Sequence, residues 1–183
     1  MEKLLDRVLG GDKCAYNELI NMISSELYYI AKSQLKSKED IEEAIQETLL
    51  KAYKNLHTLK NKKFFKTWII RILISECKNI HINNYKQLGI FSKIIYFRDF
   101  KDSNDSDNNI NDFESNWNFK NILDILNDDE KLVIILYFKY RYTTEEISFI
   151  LHKNINTVRS QYRRAKFKIN DYIRKEKYDE SKK

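Results

Sequence analysis

The sequence predicts an all-α protein built as two small helical domains joined by a flexible linker. Its 183 residues include no proline and only three glycines, too few for the frequent tight turns of a β-sandwich or barrel. Apolar residues recur at three- and four-residue steps through both halves, which is the period of a helix buried along one face. Between the halves runs KDSNDSDNNINDFESN, residues 101–116, too poor in apolar side chains to offset its ordering entropy. These features divide the chain into a domain over 1–85, an acidic linker over 86–117, a second domain over 118–176 and a tail over 177–183.

The first domain opens with two helices, Leu4 to Leu9 and Tyr16 to Leu35, separated at Gly10 and Gly11. Ser37, three residues before Asp40, is placed to cap a helix over about 38–57, whose apolar stripe is Ala44, Ile45, Leu49, Ala52, Tyr53 and Leu56. A further helix runs from Phe65 to about Tyr85, with Trp68, Ile69, Ile72 and Leu73 on its apolar face. Beyond the linker, Phe119, Ile122, Leu123 and Leu126 begin the second helical block. Asn127 and Glu130 then form a capping start for LVIILYF, a run that reads either as a buried strand or as a helix, the flanks favouring helix.

Thr143 and Glu146 make a capping box ahead of Ile147, Ile150 and Leu151, and Asn154 can cap a longer helix that follows. On that longer helix Val158, Tyr162, Ala165 and Ile169 share one face, while Arg159, Arg163 and Lys166 share a neighbouring one. Two helices joined by a short turn, the second with a basic face, form the unit that places a recognition helix in the DNA major groove. A basic helix is by itself also compatible with a merely solvated surface.

The charge balance permits a nucleic-acid partner without demanding one: 33 Lys and Arg against 27 Asp and Glu give +6. Its distribution is more telling, because residues 101–118 hold five acids and one lysine whereas 153–183 hold eleven bases and four acids. Cys14 and Cys77 form neither a metal spacing nor a disulfide framework, His57, His81 and His152 stand apart from any ligand cluster, and no phosphate-binding glycine loop or nucleophile motif occurs. The expectation is a reduced, cytoplasmic protein without metal, cofactor, catalytic residue, signal sequence or membrane segment.

The stretch EEISFILHKNINTVRSQYRRAKFKI, closest over INTVRSQYRRA, resembles region four of the sigma-70 superfamily of RNA polymerase sigma factors, and LNDDEKLVIILYF resembles the helices that precede it. DIEEAIQETLLKAYKNL and FKTWIIRILISECKN resemble sigma region two, in the order expected of the extracytoplasmic-function group. The resemblance implies a factor that brings core RNA polymerase to specific promoters, the polymerase performing the chemistry. It places Asn156, Thr157, Arg159, Ser160, Arg163, Arg164 and Lys166 against the minus-thirty-five element. The loop HTLKNKKFFKTW interleaves cations with aromatic rings, a pattern suited to holding unpaired bases, although Phe65 and Trp68 also fit as core residues. Here the resemblance places minus-ten contacts at Lys60, Lys62, Lys63, Phe64, Lys66, Trp68, Arg71, Ser75, Lys78 and Asn79. It assigns Asp40, Glu43, Gln46 and Glu47 to the clamp helices of the largest polymerase subunit.

Other implied partners are the polymerase flap, promoter DNA and an anti-sigma factor. The chain departs from the family pattern at His152, where glycine is usual, at Lys153, where an apolar residue is usual, and at Ser75, where many relatives carry asparagine. The rival readings are a helix-turn-helix regulator that binds duplex DNA without polymerase, and a helical adaptor that binds only protein.

Overall fold

The computed structural model describes residues 1–87 and 117–180, with side chains described over 1–84 and 121–175. The expected linker lies outside the described residues except for its helical ends. Every regular element among the described residues is helical: α1 (Glu2–Leu9), α2 (Lys13–Asn21), α3 (Ser24–Lys32), α4 (Lys38–Asn55), α5 (Phe65–Gln87), α6 (Trp117–Asp124), α7 (Asp128–Ile134), α8 (Thr144–Leu151) and α9 (Ile155–Glu180). The run LVIILYF is helix, closing in a π turn over Ile135–Lys139. Helix α9 continues to Glu180, so the expected tail begins as helix.

Local chemistry accounts for most helix ends. Gly11 supplies a φ of +94° after α1, and Asp12 caps α2 by accepting the Ala15 amide at 3.1 Å. That amide and the Arg7 guanidinium together hold the Asp12 carboxyl below the usual carboxylate range. Ser37 accepts the Asp40 amide at 3.0 Å, as its spacing predicts. The single helix expected over 16–35 is instead two, because the chain turns at Met22 and Ile23. There the Ser24 hydroxyl donates to the Asn21 carbonyl at 3.2 Å, a local bond that competes with the helical ladder. No glycine or proline marks this break, so periodicity ran straight through it.

Helices α4 and α5 form the centre of the N-terminal block. Ile41, Ala44 and Ala52 of α4, with Leu56 just beyond its end, share the core with Ile69, Leu73 and Cys77 of α5. Lys51 bridges to the buried Glu76 at 2.5 Å, and the Tyr16 hydroxyl donates to the Leu49 carbonyl at 2.6 Å, tying α2 to α4. In the C-terminal block α7 and α9 pack around Leu126, Ile134 and Ala165. The larger core cluster nevertheless continues across both blocks, joining α5 to Leu136, Ile147, Ile150, Leu151 and Val158.

Burial sets an alkaline limit on this fold. It pushes the Cys77 thiol from 9.0 up to about 12, and the Tyr16 hydroxyl from 10.0 up to about 12. Folded values above the unfolded ones mean that the unfolded chain releases these protons first. Their stabilisation is therefore complete below about pH 9 and is lost as pH rises towards 12. Thermal melts should show a falling midpoint over that window, and Cys77→Ala should flatten the slope. An equal slope in both proteins would remove Cys77 from the account.

Candidate functional site

The recognition unit begins at Thr143, whose hydroxyl accepts the Glu146 amide at 3.2 Å while Glu146 accepts the Thr143 amide at 2.8 Å. Helix α8 ends at His152, which adopts the left-handed conformation with φ 53° and ψ 43°. Histidine tolerates this region better than most residues, at a cost of about 1 kcal/mol relative to glycine. Local bonds hold the turn: the Lys153 amide donates to the Ser148 carbonyl at 3.1 Å, and the Ser148 hydroxyl donates to the Lys153 carbonyl at 2.7 Å. The polar Lys153 is accommodated by an ion pair with Asp129 at 2.6 Å, and Asp129 also accepts from the buried Gln161 at 2.9 Å. Asn154 then accepts the Asn156 amide at 2.8 Å and starts α9.

Along α9 the division into faces is clear. Val158 and Ala165 are fully buried, and Tyr162 and Ile169 are half-buried. Asn156, Thr157, Arg159, Ser160, Arg163, Arg164 and Lys166 are all exposed. Arg159 lies 3.7 Å from Glu145 of α8, an exposed pair that orients the guanidinium at modest energy. Lys168, by contrast, is structural: it pairs at 2.7 Å with the buried Glu130, which completes the Asn127 capping box. The sequence reading passed over Phe167, which is 75% exposed and one turn beyond Arg163 on the basic face. Its helical phase was the available signal.

On α4, Glu43, Gln46 and Glu47 face outward, whereas Asp40 is half-buried and accepts the Asn84 amide at 3.0 Å. Glu43 and Glu47 line a cleft of about 400 Å³ together with Lys51, Glu76, Asn79 and Ile82. Tyr53 departs from its expected place on the inner stripe: it is exposed and packs edge-on to the Tyr16 ring at 4.9 Å, its inward position being taken by Thr48 and Ala52. Leu50, unassigned from sequence, is exposed one turn beyond Gln46. The outward face of α4 is thus acidic at one end and apolar at the other.

The expected minus-ten residues divide into groups. Lys60, Lys63 and Phe64 are exposed at the tip of the α4–α5 connection, with Phe65 fully buried beneath and Trp68 tilted against it at 6.1 Å. Lys62 and Lys66 are held by acids of neighbouring helices, Asp6 and, at 3.4 Å, Glu26. Trp68, Arg71 and Ser75 line a second cleft, of about 410 Å³, with Phe149 of α8 on its far wall. The Arg71 guanidinium carbon lies 4.6 Å from the Phe149 ring centre, and its Nη2 lies 3.2 Å from His152 Nδ1. Lys78 is exposed, and Asn79 donates to Glu76 at 3.4 Å.

Such a surface can bind an extended polyanion and stack unpaired bases, and it presents a separate basic helix to duplex DNA. Among the described residues no cluster of His, Cys, Asp and Glu is placed to hold a metal ion, and no helix is long and apolar enough to cross a membrane.

Comparison with known proteins agrees with this arrangement. Residues 19–84 match the family model for sigma-70 region 2, and residues 122–169 match that for sigma-70 region 4. The ECF RNA polymerase sigma-E factor of Escherichia coli K12 is 25% identical, the match covering 93% of this chain and 92% of that one. The factor of the same name from Haemophilus influenzae is 31% identical over 43% of this chain and 41% of its own length. Two solved structures share the fold, both with a TM-score of 0.62. One is CnrH in complex with the cytosolic domain of CnrY, at 16% identity over 93% of this chain and 94% of that one. The other is the sigma factor RpoE in complex with the anti-sigma factor NepR from Bartonella quintana, at 20% identity over 87% and 96%.

Proposed function

The chain belongs to the sigma-70 family of RNA polymerase sigma factors, in its extracytoplasmic-function group, and from that premise we propose how its surfaces divide the work. It directs core RNA polymerase to promoters and starts DNA-templated transcription. The observation that carries this reading is the pairing of regions two and four in order on one chain, the second presenting an exposed basic recognition face.

The outward face of α4, with Glu43, Gln46, Glu47 and the exposed Leu50, docks on the clamp helices of the polymerase. Lys60, Lys63 and Phe64 at the loop tip, with Trp68, Arg71 and Ser75 in the adjoining cleft and Lys78 and Asn79 further along α5, hold the melted minus-ten strand. The amino-terminal turns of α9 enter the major groove at the minus-thirty-five element. Polymerase supplies nucleotidyl transfer, and the chain itself acts by positioning, without cofactor, in the cytoplasm. An anti-sigma protein is the regulator proposed for it, as the anti-sigma factor NepR accompanies one of the related structures.

Run-off transcription with purified core polymerase tests the assignment on a library of minus-thirty-five variants. Arg159, close to the start of α9, should read a base edge, so Arg159→Ala should cost about 1–3 kcal/mol and relax preference at one position. Arg163→Ala should either do the same or weaken all sequences uniformly and lower the salt slope by about one, as loss of a phosphate contact does. An unchanged sequence profile and output in both variants would remove α9 as the reader. Promoter binding by the chain alone, with no transcript from core enzyme, would favour a regulator that acts without polymerase.

A further inference from the structure

We propose that Asp129 and Glu130, side by side at the start of α7, clamp α9 at two points and so set the angle at which the recognition helix meets the minus-thirty-five groove, which makes Asp129 a positioning residue for promoter choice. The inference rests on the reading of α9 as the minus-thirty-five helix and adds what aims it.

Each acid holds a different point of α9. Glu130 is 2% exposed, and its carboxylate accepts from the Lys168 ammonium at 2.7 Å and from the Asn127 amide at 3.2 Å. The Asp129 carboxylate accepts from the Gln161 side-chain amide at 2.9 Å and pairs with Lys153 at 2.6 Å. Gln161 and Lys168 are seven residues apart, two turns along one side of the helix and about 10 Å at 1.5 Å per residue. Between them the fully buried Ala165 packs with Leu126 and Ile134. The grip is therefore a two-point one about a close contact at its centre. By helical phase it lies on the flank of α9 turned away from Arg159, Arg163 and Lys166, which leaves the basic face free for DNA.

Stability alone does not account for the Asp129 arm. Gln161 is 5% exposed, and no described group donates to its Oε1. A buried amide with only part of its hydrogen bonding made is a poorer occupant of such a place than an apolar side chain of similar size. What the amide and the carboxylate add is direction, since a hydrogen bond constrains angle as well as distance and an apolar contact does not. The same Asp129 oxygen, Oδ2, meets Lys153, the residue after the left-handed His152, and Lys153 is tied back to α8 through Ser148. One carboxylate thus fixes both the turn and the helix that leaves it. The lever is long: Asn156 stands nine residues from Ala165, so a tilt of about 5° about that contact moves it by about 1 Å. A base-edge hydrogen bond, about 2.7–3.2 Å long, does not survive such a shift.

Asp129→Ala with Gln161→Leu removes this arm without leaving a buried amide unpaired, and it touches no residue of the basic face. The melting temperature of the double variant should match or exceed that of the wild-type chain. In run-off transcription with core polymerase on the minus-thirty-five library, its discrimination between the preferred sequence and single-base variants should fall by roughly threefold to tenfold, part of what a well-placed base contact supplies. Asp129→Asn, which still accepts from the Gln161 amide but no longer forms an ion pair with Lys153, should discriminate to an intermediate degree. An unchanged sequence profile in the double variant would overturn the inference. So would a loss of discrimination that follows melting temperature across the variants, since the clamp would then act on stability alone. Arg159→Ala and Arg163→Ala judge the parent reading separately: if both leave the wild-type profile intact, α9 is not the reader, whereas failure of the clamp alone leaves the arginine effects in place.

Discussion

Val158→Asp should abolish promoter-specific transcription by unfolding the recognition unit, with no change to any residue that faces DNA. Val158 is fully buried on the inner side of α9, within the cluster that joins both blocks. A carboxylate there would be charged without a partner or would have to take up a proton, and either course costs several kcal/mol. Against a typical total of about 5–15 kcal/mol, that is enough to unfold a small domain. Val158→Ala should cost roughly 1.5–3 kcal/mol, the lost burial of two methyl groups plus the cavity they leave, and keep measurable activity. Arg159→Ala should leave the melt unchanged, since its side chain is exposed and its pair with Glu145 is a surface one. Melting curves beside transcription yields distinguish the three. A wild-type melt for Val158→Asp would mean that α9 does not pack through this face.

Gln46→Ala with Glu47→Lys should cut association with core polymerase by at least about 2 kcal/mol, roughly thirtyfold, because reversing a charge at a complementary surface replaces attraction with repulsion. Helicity should survive, for both residues are exposed and neither belongs to the buried set of Ala44, Thr48 and Ala52. Leu50→Ala should add to the loss if the apolar end of the same face is desolvated on docking, since an exposed leucine contributes little to the free chain. Competition against labelled wild-type protein for core enzyme gives the affinity directly. Equal competition by the double variant would put the docking face elsewhere on the domain.

Much of this was written locally. The caps at Ser37, Asn127, Thr143 and Asn154 depend on side chains two or three residues from the amides they bind, so short spacings announce them. The inner and outer faces of α9 follow from helical phase, and even the left-handed His152 could be expected from the residue types that tolerate that conformation. The break at Met22 and Ile23 was hidden because its cause is a weak local bond without a glycine or proline to mark it. Tyr53 was misplaced because a tyrosine at helical spacing reads as core, whereas the inner positions were filled by the smaller Thr48 and Ala52.

The sequence by itself therefore determined the helices, their caps, the acidic and basic faces and membership of the family, since each depends on residues within a few turns of one another or on a motif read along the chain. Only the tertiary structure decided which charges remain available. Lys62, Lys66, Lys153 and Lys168 are engaged by Asp6, Glu26, Asp129 and Glu130, partners 56, 40, 24 and 38 positions away in the chain. It likewise decided that Phe149 and His152 close on Arg71, a meeting across some 80 residues of sequence. No periodicity reports such pairs, because they arise from how finished helices pack and not from the order in which their residues are written.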